Sequence, residues 1–311
     1  MPRLHPRWDN SDTKGAILMH FTEPVYRNPY WPTWPLLEVT QGCTHNKCKF
    51  CTMYKGVRFD VRPLEDIEVD LRELAATVPN ARTIQLLSAN PLALPAHRMA
   101  PILEKINEYL PKMEFIYMQG RVSDLRNKTV EQLRELKELG LREISLGTES
   151  GDDWTLDRVH KGYHAEDIIE QCAKLDEAGI RYWHSFLNGV AGRSHSREHA
   201  LNSAKVFSQT NPMLVGTGGL TLFPGTPLLE EAEVGEFDPL SVREMLEELL
   251  LFVENLECDC SFITHHNIGG VNLTGPDFLG RKDAIVAALR DEIEHGDLDR
   301  MARMRAMKVS L

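Results

Sequence analysis

Residues 38–51 read EVTQGCTHNKCKFC and bring three cysteines, Cys43, Cys48 and Cys51, into one short stretch. An apolar strand is predicted over residues 36–40, so the three thiols follow its carboxyl end, where α/β proteins build their functional sites. Three cysteine thiolates can fix three irons of a four-iron cubane and leave the fourth iron without a protein ligand. The stretch therefore predicts an iron–sulfur cluster with one iron open to a substrate or cofactor.

A structural zinc site is the alternative interpretation of this stretch. His45 and the three cysteines would supply four acceptable zinc ligands. A zinc ribbon, however, usually joins two Cys-x2-Cys knuckles, and this chain has one. We therefore favour the cluster and keep a zinc-stabilised, non-catalytic binding module as the alternative.

Apolar strands and amphipathic helices alternate regularly from residue 36 onward. The strands are predicted near residues 36–40, 83–88, 114–120, 142–148, 181–188 and 214–222. The helices between them are predicted near residues 64–77, 97–109, 129–139, 165–178 and 196–208. Six β/α units in series imply a parallel sheet with right-handed crossovers. The pattern predicts an α/β fold, a partial (β/α)6 TIM-like barrel.

Three segments are predicted: an N-terminal extension over residues 1–35, a core barrel over 36–228, and a C-terminal tail over 229–311 that closes the barrel. The extension is rich in proline and aromatic residues and shows no sustained period. The tail is predicted to be helical, with a long helix at about 242–257, a short strand near 261–264 and two further helices. The acidic face of the long helix is expected to be solvated.

Charge and composition limit the partners of the chain. The 311 residues include 35 Lys and Arg against 46 Asp and Glu, which gives a formal net charge of -11. Such a chain repels a polyanion overall, so nucleic acid is not expected as a partner. We find no long apolar run and no secretion signal, which predicts a cytoplasmic protein without a membrane partner. Six cysteines, three of them crowded together, suit a reducing compartment.

One face of several predicted strands is polar, because successive side chains point to opposite faces of a strand. A barrel interior filled only by aliphatic side chains would not show this pattern, so we predict a cavity that binds the substrate. The polar-face residues predicted to line it are Glu38, Tyr117, Gln119, Arg121, Glu143, His184 and Asn188. Glu143 and His184 are the predicted catalytic groups, and a hydrogen-bonded core histidine is the alternative for His184. His265 and Asn267, from a late polar loop, are predicted to contact the substrate at the barrel mouth, and a solvated loop is the alternative.

Three cysteines lie outside the clustered stretch. Cys258 and Cys260 flank Asp259 at the start of the late strand, and Cys172 lies within a predicted helix. We expect all three to be buried packing residues. A thiol that donates hydrogen or carries a group is the alternative.

The Gly-Cys start and the closing Cys-x-aromatic-Cys of the cysteine stretch resemble the radical S-adenosylmethionine (SAM) superfamily. The family's usual spacing has three residues between the first two cysteines, and this chain has four. The resemblance implies a barrel of the radical SAM type, with a [4Fe-4S] cluster whose open iron binds SAM. It also implies a reductant such as flavodoxin or ferredoxin, whose electron cleaves SAM to a 5'-deoxyadenosyl radical.

Motifs at later strand ends resemble SAM-binding positions of coproporphyrinogen-oxidase, elongator and methylthiotransferase relatives. Ser88 and Asn90 stand where the family commonly has a Gly-Gly-Glu-like turn. Glu149 lies in a Gly-Thr-Glu-Ser segment, and a basic residue twelve positions on, here Lys161, is implied to reach the SAM carboxylate. These four residues are therefore assigned to cofactor binding.

Three further residues are assigned to the same cofactor site. Gly189 and Val190 open a Gly-x-x-Gly turn like the one that lies against adenine in the family, where glycine lets the backbone approach the ligand. Phe50 is the aromatic residue of the closing cysteine motif. A Pro-Gly-Thr-Pro segment at residues 224–227 also resembles these relatives.

The predicted function is a radical SAM enzyme of lyase or oxidoreductase type that acts on a small molecule. The compact layout resembles queuine lyase, in which carboxylates such as Glu38 and Glu143 would bond the amidine edge of a deazaguanine base. A radical SAM enzyme that modifies tRNA is the alternative. The net charge of -11 and the lack of a basic RNA-binding segment count against it.

Overall fold

The structure, a computed structural model, describes residues 20–21, 25–28, 30–266 and 273–307. The strands are β1 (Leu36–Glu38), β2 (Thr40–Gln41), β3 (Asp60–Val61), β4 (Thr83–Leu87), β5 (Phe115–Gly120), β6 (Leu141–Glu149), β7 (Arg181–Asn188), β8 (Leu214–Gly219) and β9 (Ser261–His266). The α-helices are α1 (Leu64–Thr77), α2 (Ala96–Tyr109), α3 (Val130–Glu138), α4 (Asp153–Arg158), α5 (Ala165–Ala178), α6 (Ser196–Phe207), α7 (Pro227–Glu233), α8 (Val242–Asn255), α9 (Phe278–His295) and α10 (Leu298–Ala306).

Parallel strands alternate with helices along the chain, which confirms the predicted α/β class. The predicted helices match α1, α2, α3, α5 and α6 to within about two residues, the usual uncertainty of helix ends. Capping boxes fix two helix starts, Thr129 with Gln132 at α3 and Ser241 with Glu244 at α8. The pattern did not predict the short helices α4 and α7.

The first of two compact units comprises the described residues up to 46, together with 54–146 and 174–181. Its parallel strands lie in the order β1, β4, β5, β6. Helix α1 packs on β1 and on α2, and α2 packs on α3. The strand register places Gln85, Tyr117 and Glu143 side by side.

Described residues of the N-terminal extension pack on this unit. The Asn28 backbone N–H donates to Gln85 Oε1 at 3.2 Å, and Asn28 Nδ2 donates to Tyr117 Oη at 2.9 Å. The Trp34 ring makes an edge contact with Phe115 at a centroid distance of 5.3 Å. Asn28 therefore satisfies two buried polar side chains, which would be costly to leave without a partner.

The second compact unit comprises residues 47–53, 147–173 and the described residues from 182 onward. Strands β7, β8 and β9 are parallel and lie in that order. Helix α8 packs against α6, α9 and α10, and Phe252 of α8 stacks on Phe186 of β7 at a centroid distance of 4.0 Å. The predicted helical tail is confirmed.

The short strand predicted near residues 261–264 is β9, which extends to His266 and pairs in parallel with β8. The division of the chain at residues 35 and 228 stays a prediction. Among the described residues, no helix combines the length and apolar character needed to cross a membrane.

Candidate cofactor and substrate site

The glycine before the first cysteine is required by backbone geometry. Gly42 follows β2 with a φ of 61°, in the left-handed region that favours glycine. A β-carbon at this position would lie 2.8 Å from the Arg58 carbonyl and 2.9 Å from the carbonyl oxygen of Val57. The Gly-Cys start of the motif therefore lets the chain pass close to residues 57–58 before Cys43. Cys43, Cys48 and Cys51 form no disulfides in the structure, and each is partly exposed.

Asn90 forms hydrogen bonds within the first unit to Thr44, the residue next to Cys43. Asn90 Oδ1 accepts the Thr44 N–H at 3.3 Å, and Asn90 Nδ2 donates to Thr44 Oγ1 at 2.7 Å and to Asp124 Oδ2 at 3.0 Å. Asp124 Oδ2 also accepts the Arg121 N–H at 2.8 Å. The sequence assigns Asn90 to the cofactor, but its amide oxygen and nitrogen both bind protein groups here. Its direct contact with SAM stays a prediction, and its observed contacts hold Thr44, the residue after Cys43.

Lys49 holds the Cys48–Cys51 segment in the second unit through backbone hydrogen bonds and an ion pair. The Lys49 N–H donates to Val159 O at 3.1 Å, and Lys49 O accepts the Leu228 N–H at 3.1 Å. Lys49 Nζ lies 2.6 Å from Glu231 Oε1, and Arg158 Nη2 lies 2.5 Å from Glu231 Oε2. Glu231 on α7 therefore joins the cysteine segment to the end of α4. Sequence reasoning missed this anchor, because α4 and α7 were not predicted.

Three residues assigned to the cofactor, Phe50, Glu149 and Lys161, come together in the second unit. Lys161 Nζ lies 5.8 Å from the Phe50 ring centroid, 3.7 Å from Glu149 Oε1 and 2.6 Å from Gly147 O. The Lys161 side chain is 4 % exposed. Glu149 has a φ of 66°, a strained value for a residue that is not glycine, and such strain clusters at functional sites. A buried ammonium beside a carboxylate and an aromatic face suits a zwitterionic amino-acid group.

The turn that begins with Gly189 and Val190 is held by the tail helix α8. Gly189 has a φ of 85°, and its N–H donates to Glu248 Oε2 at 2.5 Å. Glu248 Oε1 lies 3.0 Å from His199 Nδ1. Glu248 is only 2 % exposed, so the expectation that the acidic face of this helix is solvated is wrong at this position. The carboxylate is buried because the turn N–H and the imidazole both satisfy it.

Tyr117 and Gln119 belong to a polar cluster on β5 and β6 of the first unit. The Tyr117 hydroxyl hydrogen-bonds to Asn28, Ser145 and Gln119. Burial raises the pKa of Tyr117, so the hydroxyl stays protonated and can donate. Ser145 pairs with Gln119 in the strand register, and both side chains are only half-buried. Gln119 is therefore an accessible residue of the predicted polar wall, and Ser145 adds an accessible hydroxyl beside it.

Glu143 does not lie at the carboxyl end of its strand, where the predicted substrate cavity would be. It is the third residue of β6, near the amino end of that strand, and it is fully buried. Arg181 Nη2 lies 3.1 Å from Glu143 Oε2, and the same guanidinium lies 5.0 Å from the Phe115 ring. Strand parity predicted the face of Glu143 but not its height along the strand. The carboxylate is paired at the end opposite to the one where parallel strands build sites.

His184 and Asn188 point toward the helices of the second unit, which corrects their predicted position on a cavity wall. His184 Nδ1 lies 2.8 Å from Thr148 Oγ1, Nε2 lies 3.0 Å from Thr210 Oγ1, and the ring stacks on Phe207. Burial lowers the pKa of His184 to about 3, so the imidazole is neutral at physiological pH. Asn188 Nδ2 donates to the Met245 carbonyl of α8 at 2.9 Å. Hydrogen-bond partners on β6, after the end of α6 and on α8 make these polar residues compatible with that face of β7.

Few contacts are described for the remaining predicted site residues. Ser88 is buried, and its N–H donates to Thr40 Oγ1 at 3.4 Å. Glu38 is also buried, at 2 % exposure. Asn267 and the side chain of His265 lie outside the described residues. Their roles, like that of Arg121, stay predictions.

Comparison with known proteins yields one family. A family model described as the Radical SAM superfamily matches residues 37–206. A tRNA-2-methylthio-N(6)-dimethylallyladenosine synthase from Bdellovibrio bacteriovorus is 25 % identical over 159 residues, which are 50 % of this chain and 34 % of the relative. The chain thus spans about a third of the length of that curated relative.

Solved structures share the fold. A radical S-adenosylmethionine methyltransferase from Kitasatospora setae, TsrM, solved with cobalamin and a [4Fe-4S] cluster, matches with a TM-score of 0.54 and 20 % identity over 65 % of this chain and 37 % of that chain. Methylornithine synthase matches with a TM-score of 0.50 and 17 % identity over 88 % of this chain and 84 % of that chain. At these identities the likeness concerns the fold alone.

Proposed function

Because the chain belongs to the radical SAM superfamily, we propose that it cleaves SAM reductively and removes a hydrogen atom from a small-molecule substrate. Enzymes of this superfamily use a [4Fe-4S] cluster and SAM. The proposal rests on one observation: Cys43, Cys48 and Cys51, none of them in a disulfide, lie together in one anchored loop. Family membership supports a radical SAM enzyme over the zinc-stabilised module.

The donor set fits the cluster. Three partly exposed thiols can hold three irons, and the loop that carries them is fixed through Thr44 and Lys49. Within the described residues, which include the whole cysteine loop, no three His, Cys, Asp or Glu side chains converge on a single metal ion, and this holds for the three thiols as well. The three thiols would therefore have to approach one another to hold either a cluster or a zinc ion.

The residues of the second unit would hold SAM. Lys161 supplies an ammonium for the SAM carboxylate, Glu149 supplies a carboxylate for the SAM ammonium or ribose, and Phe50 supplies an apolar face. The turn at Gly189 and Val190, which Glu248 fixes, is the motif proposed to lie near adenine, and both of its residues are buried in the protein alone. When bound, the cluster supplies the electron that breaks a carbon–sulfur bond of SAM.

The substrate class proposed is a small polar molecule. Gln119 and Ser145 offer neutral donors and acceptors on the first unit, and the buried Glu38 would supply a carboxylate. This combination suits a nitrogen-rich heterocycle, and a lyase acting on a deazaguanine base such as queuine is the specific candidate. Glu143 no longer supports this choice, because Arg181 occupies its carboxylate.

Modification of tRNA is the second candidate. It is favoured by one observation, the 25 % identity to a synthase whose name specifies tRNA, over half of this chain. The net charge of -11 opposes binding to a polyanion. A gel-retention assay separates the two: retention of tRNA at physiological salt would support modification, and its absence supports a small molecule.

The test of the proposed function is the release of 5'-deoxyadenosine from SAM. Anaerobic protein is incubated with SAM and dithionite, alone or with queuine, and the nucleoside is measured by chromatography. We expect slow release without substrate, faster release with substrate, and none from a Cys48→Ala variant whose circular dichroism spectrum is unchanged. Equal release from the variant and the parent enzyme would refute the assignment of the loop.

A further inference from the structure

Cys258 and Cys260 place two thiols against each other outside the candidate site. The two Sγ atoms are 3.4 Å apart, and each residue is 5 % exposed. They lie two positions apart in the short link between α8, which ends at Asn255, and β9, which begins at Ser261.

Backbone hydrogen bonds hold both ends of this link. The Glu257 N–H donates to Ser208 Oγ at 2.7 Å, just before the first thiol. Cys260 O accepts the Phe278 N–H at 2.9 Å, and the Ser261 N–H donates to Met213 O at 2.9 Å, at and after the second thiol. Since the backbone is fixed on both sides, the two sulfurs stay in reach of each other.

We infer that Cys258 and Cys260 form a redox-active dithiol, a site that a small peroxide oxidises reversibly to an intramolecular disulfide. One thiolate attacks a peroxide oxygen and becomes a sulfenic acid, while the other oxygen leaves as hydroxide and takes up a proton to become water. The second thiol then attacks the sulfenic sulfur, the sulfur–sulfur bond forms, and a second water leaves. The two thiols are oxidised by two electrons, and the peroxide is reduced to two waters.

Two features of the site define its chemistry. The hydrogen bond with Cys258, together with burial, raises the pKa of Cys260, so the pair carries at most one negative charge. Low exposure restricts the reaction to small oxidants and excludes bulky disulfide reagents. A bond between residues two apart closes a small, strained ring, and strained disulfides are the easily reduced ones. The site therefore suits a reversible response and not a permanent structural crosslink.

The chain provides a direct assay that does not involve the clustered cysteines. Trypsin cleavage after Arg243 and Arg281 releases residues 244–281, whose only cysteines are Cys258 and Cys260. Anaerobic protein is treated with hydrogen peroxide, unfolded, alkylated with iodoacetamide, digested and analysed by mass spectrometry. We expect the peptide to become two hydrogens lighter and to resist alkylation. Dithiothreitol before alkylation should restore two alkylated cysteines.

Controls distinguish this site from general thiol oxidation. Cys172, buried 3.9 Å from His184 Nε2, lies on a different tryptic peptide and should stay alkylatable under the same treatment. A Cys258→Ser variant should never give the lighter peptide. Oxidation of each sulfur separately to sulfinic acid, or two thiols that remain alkylatable at peroxide levels that oxidise the cluster loop, would overturn the inference. Because the assay reads a peptide outside the cluster loop, its failure would leave the proposed function unaffected.

Discussion

Replacing Glu231 with Gln removes a charge that joins the cysteine segment to two helices. The carboxylate lies 2.6 Å from Lys49 Nζ and 2.5 Å from Arg158 Nη2, with the three side chains 17–22 % exposed. Exposed ion pairs stabilise by about 0.2–1 kcal/mol, and hydrogen bonds to buried charges by about 1.5–3 kcal/mol. The two partly exposed ion pairs of Glu231 fall between these limits, so we expect the variant to lose about 2 kcal/mol in its free energy of unfolding. At about 2.1 cal/mol/K of unfolding entropy per residue, the melting temperature should fall by about 3 °C.

The dependence of this loss on pH follows from the sign of the pKa shift. Burial raises the pKa of Glu231, but hydrogen bonds and charges from Arg158 and Lys49 outweigh it and hold the pKa below the usual 4.5. The contribution of Glu231 is therefore complete above pH 4.5 and is lost as the pH falls through the lowered pKa. The stability difference between parent and Glu231→Gln should shrink in acid.

The assay compares anaerobic thermal unfolding with the rate of iron loss to a chelator. Glu230→Gln, at the exposed neighbouring position, is the matched control and should leave both unchanged. Glu231→Gln should lower the melting temperature slightly but release iron several-fold faster, because Lys49 lies next to Cys48. Equal rates of iron loss from all three proteins would refute the view that Glu231 positions the cysteine segment.

Three more outcomes are expected. Lys161→Ala should raise the SAM concentration needed for cleavage about tenfold or more, because a charge-assisted contact worth about 1.5–3 kcal/mol is lost; unchanged SAM affinity would contradict the assignment. With a pKa of about 3, His184 should stay neutral while the unfolded chain takes up a proton near pH 6.5. Stability should therefore fall as the pH drops from 6.5 toward 3, by up to about 1.4 kcal/mol per pH unit, and His184→Gln should lack this component in acid unfolding titrations. Arg181→Ala should lower the free energy of unfolding, measured with denaturant, by about 1–3 kcal/mol, because it leaves the buried Glu143 carboxylate without its ion-pair partner. Adding Glu143→Gln should recover part of that loss. SAM cleavage per folded molecule should be the same in both variants as in the parent.

Local sequence patterns predicted most of the helices and strands of the fold. Helix α1 occupies the predicted residues because apolar side chains recur on one face, with Ile67, Leu71 and Leu74 buried. The role of β9 did not follow from such a pattern. Its strand character is local, but its pairing with β8 joins residues more than forty positions apart.

The candidate site was predictable where a motif fixes chemistry and not where polarity alone was used. Phe50, Glu149 and Lys161 do come together, because each stands at a motif position. His184 was misplaced because alternation defines two faces of a strand but does not say which one faces helices. Glu248 was missed because a glutamate on an acidic helix looks solvated until its partner, the Gly189 turn, is known.

Iron and sulfide content is the most direct test of the central claim that Cys43, Cys48 and Cys51 hold a four-iron cluster. The protein is reconstituted without oxygen, desalted and analysed for iron, sulfide and zinc, beside a Cys48→Ala variant. The account predicts about four iron and four sulfide per chain for the parent and loss of both from the variant. One zinc per chain, with no iron after reconstitution, would contradict it.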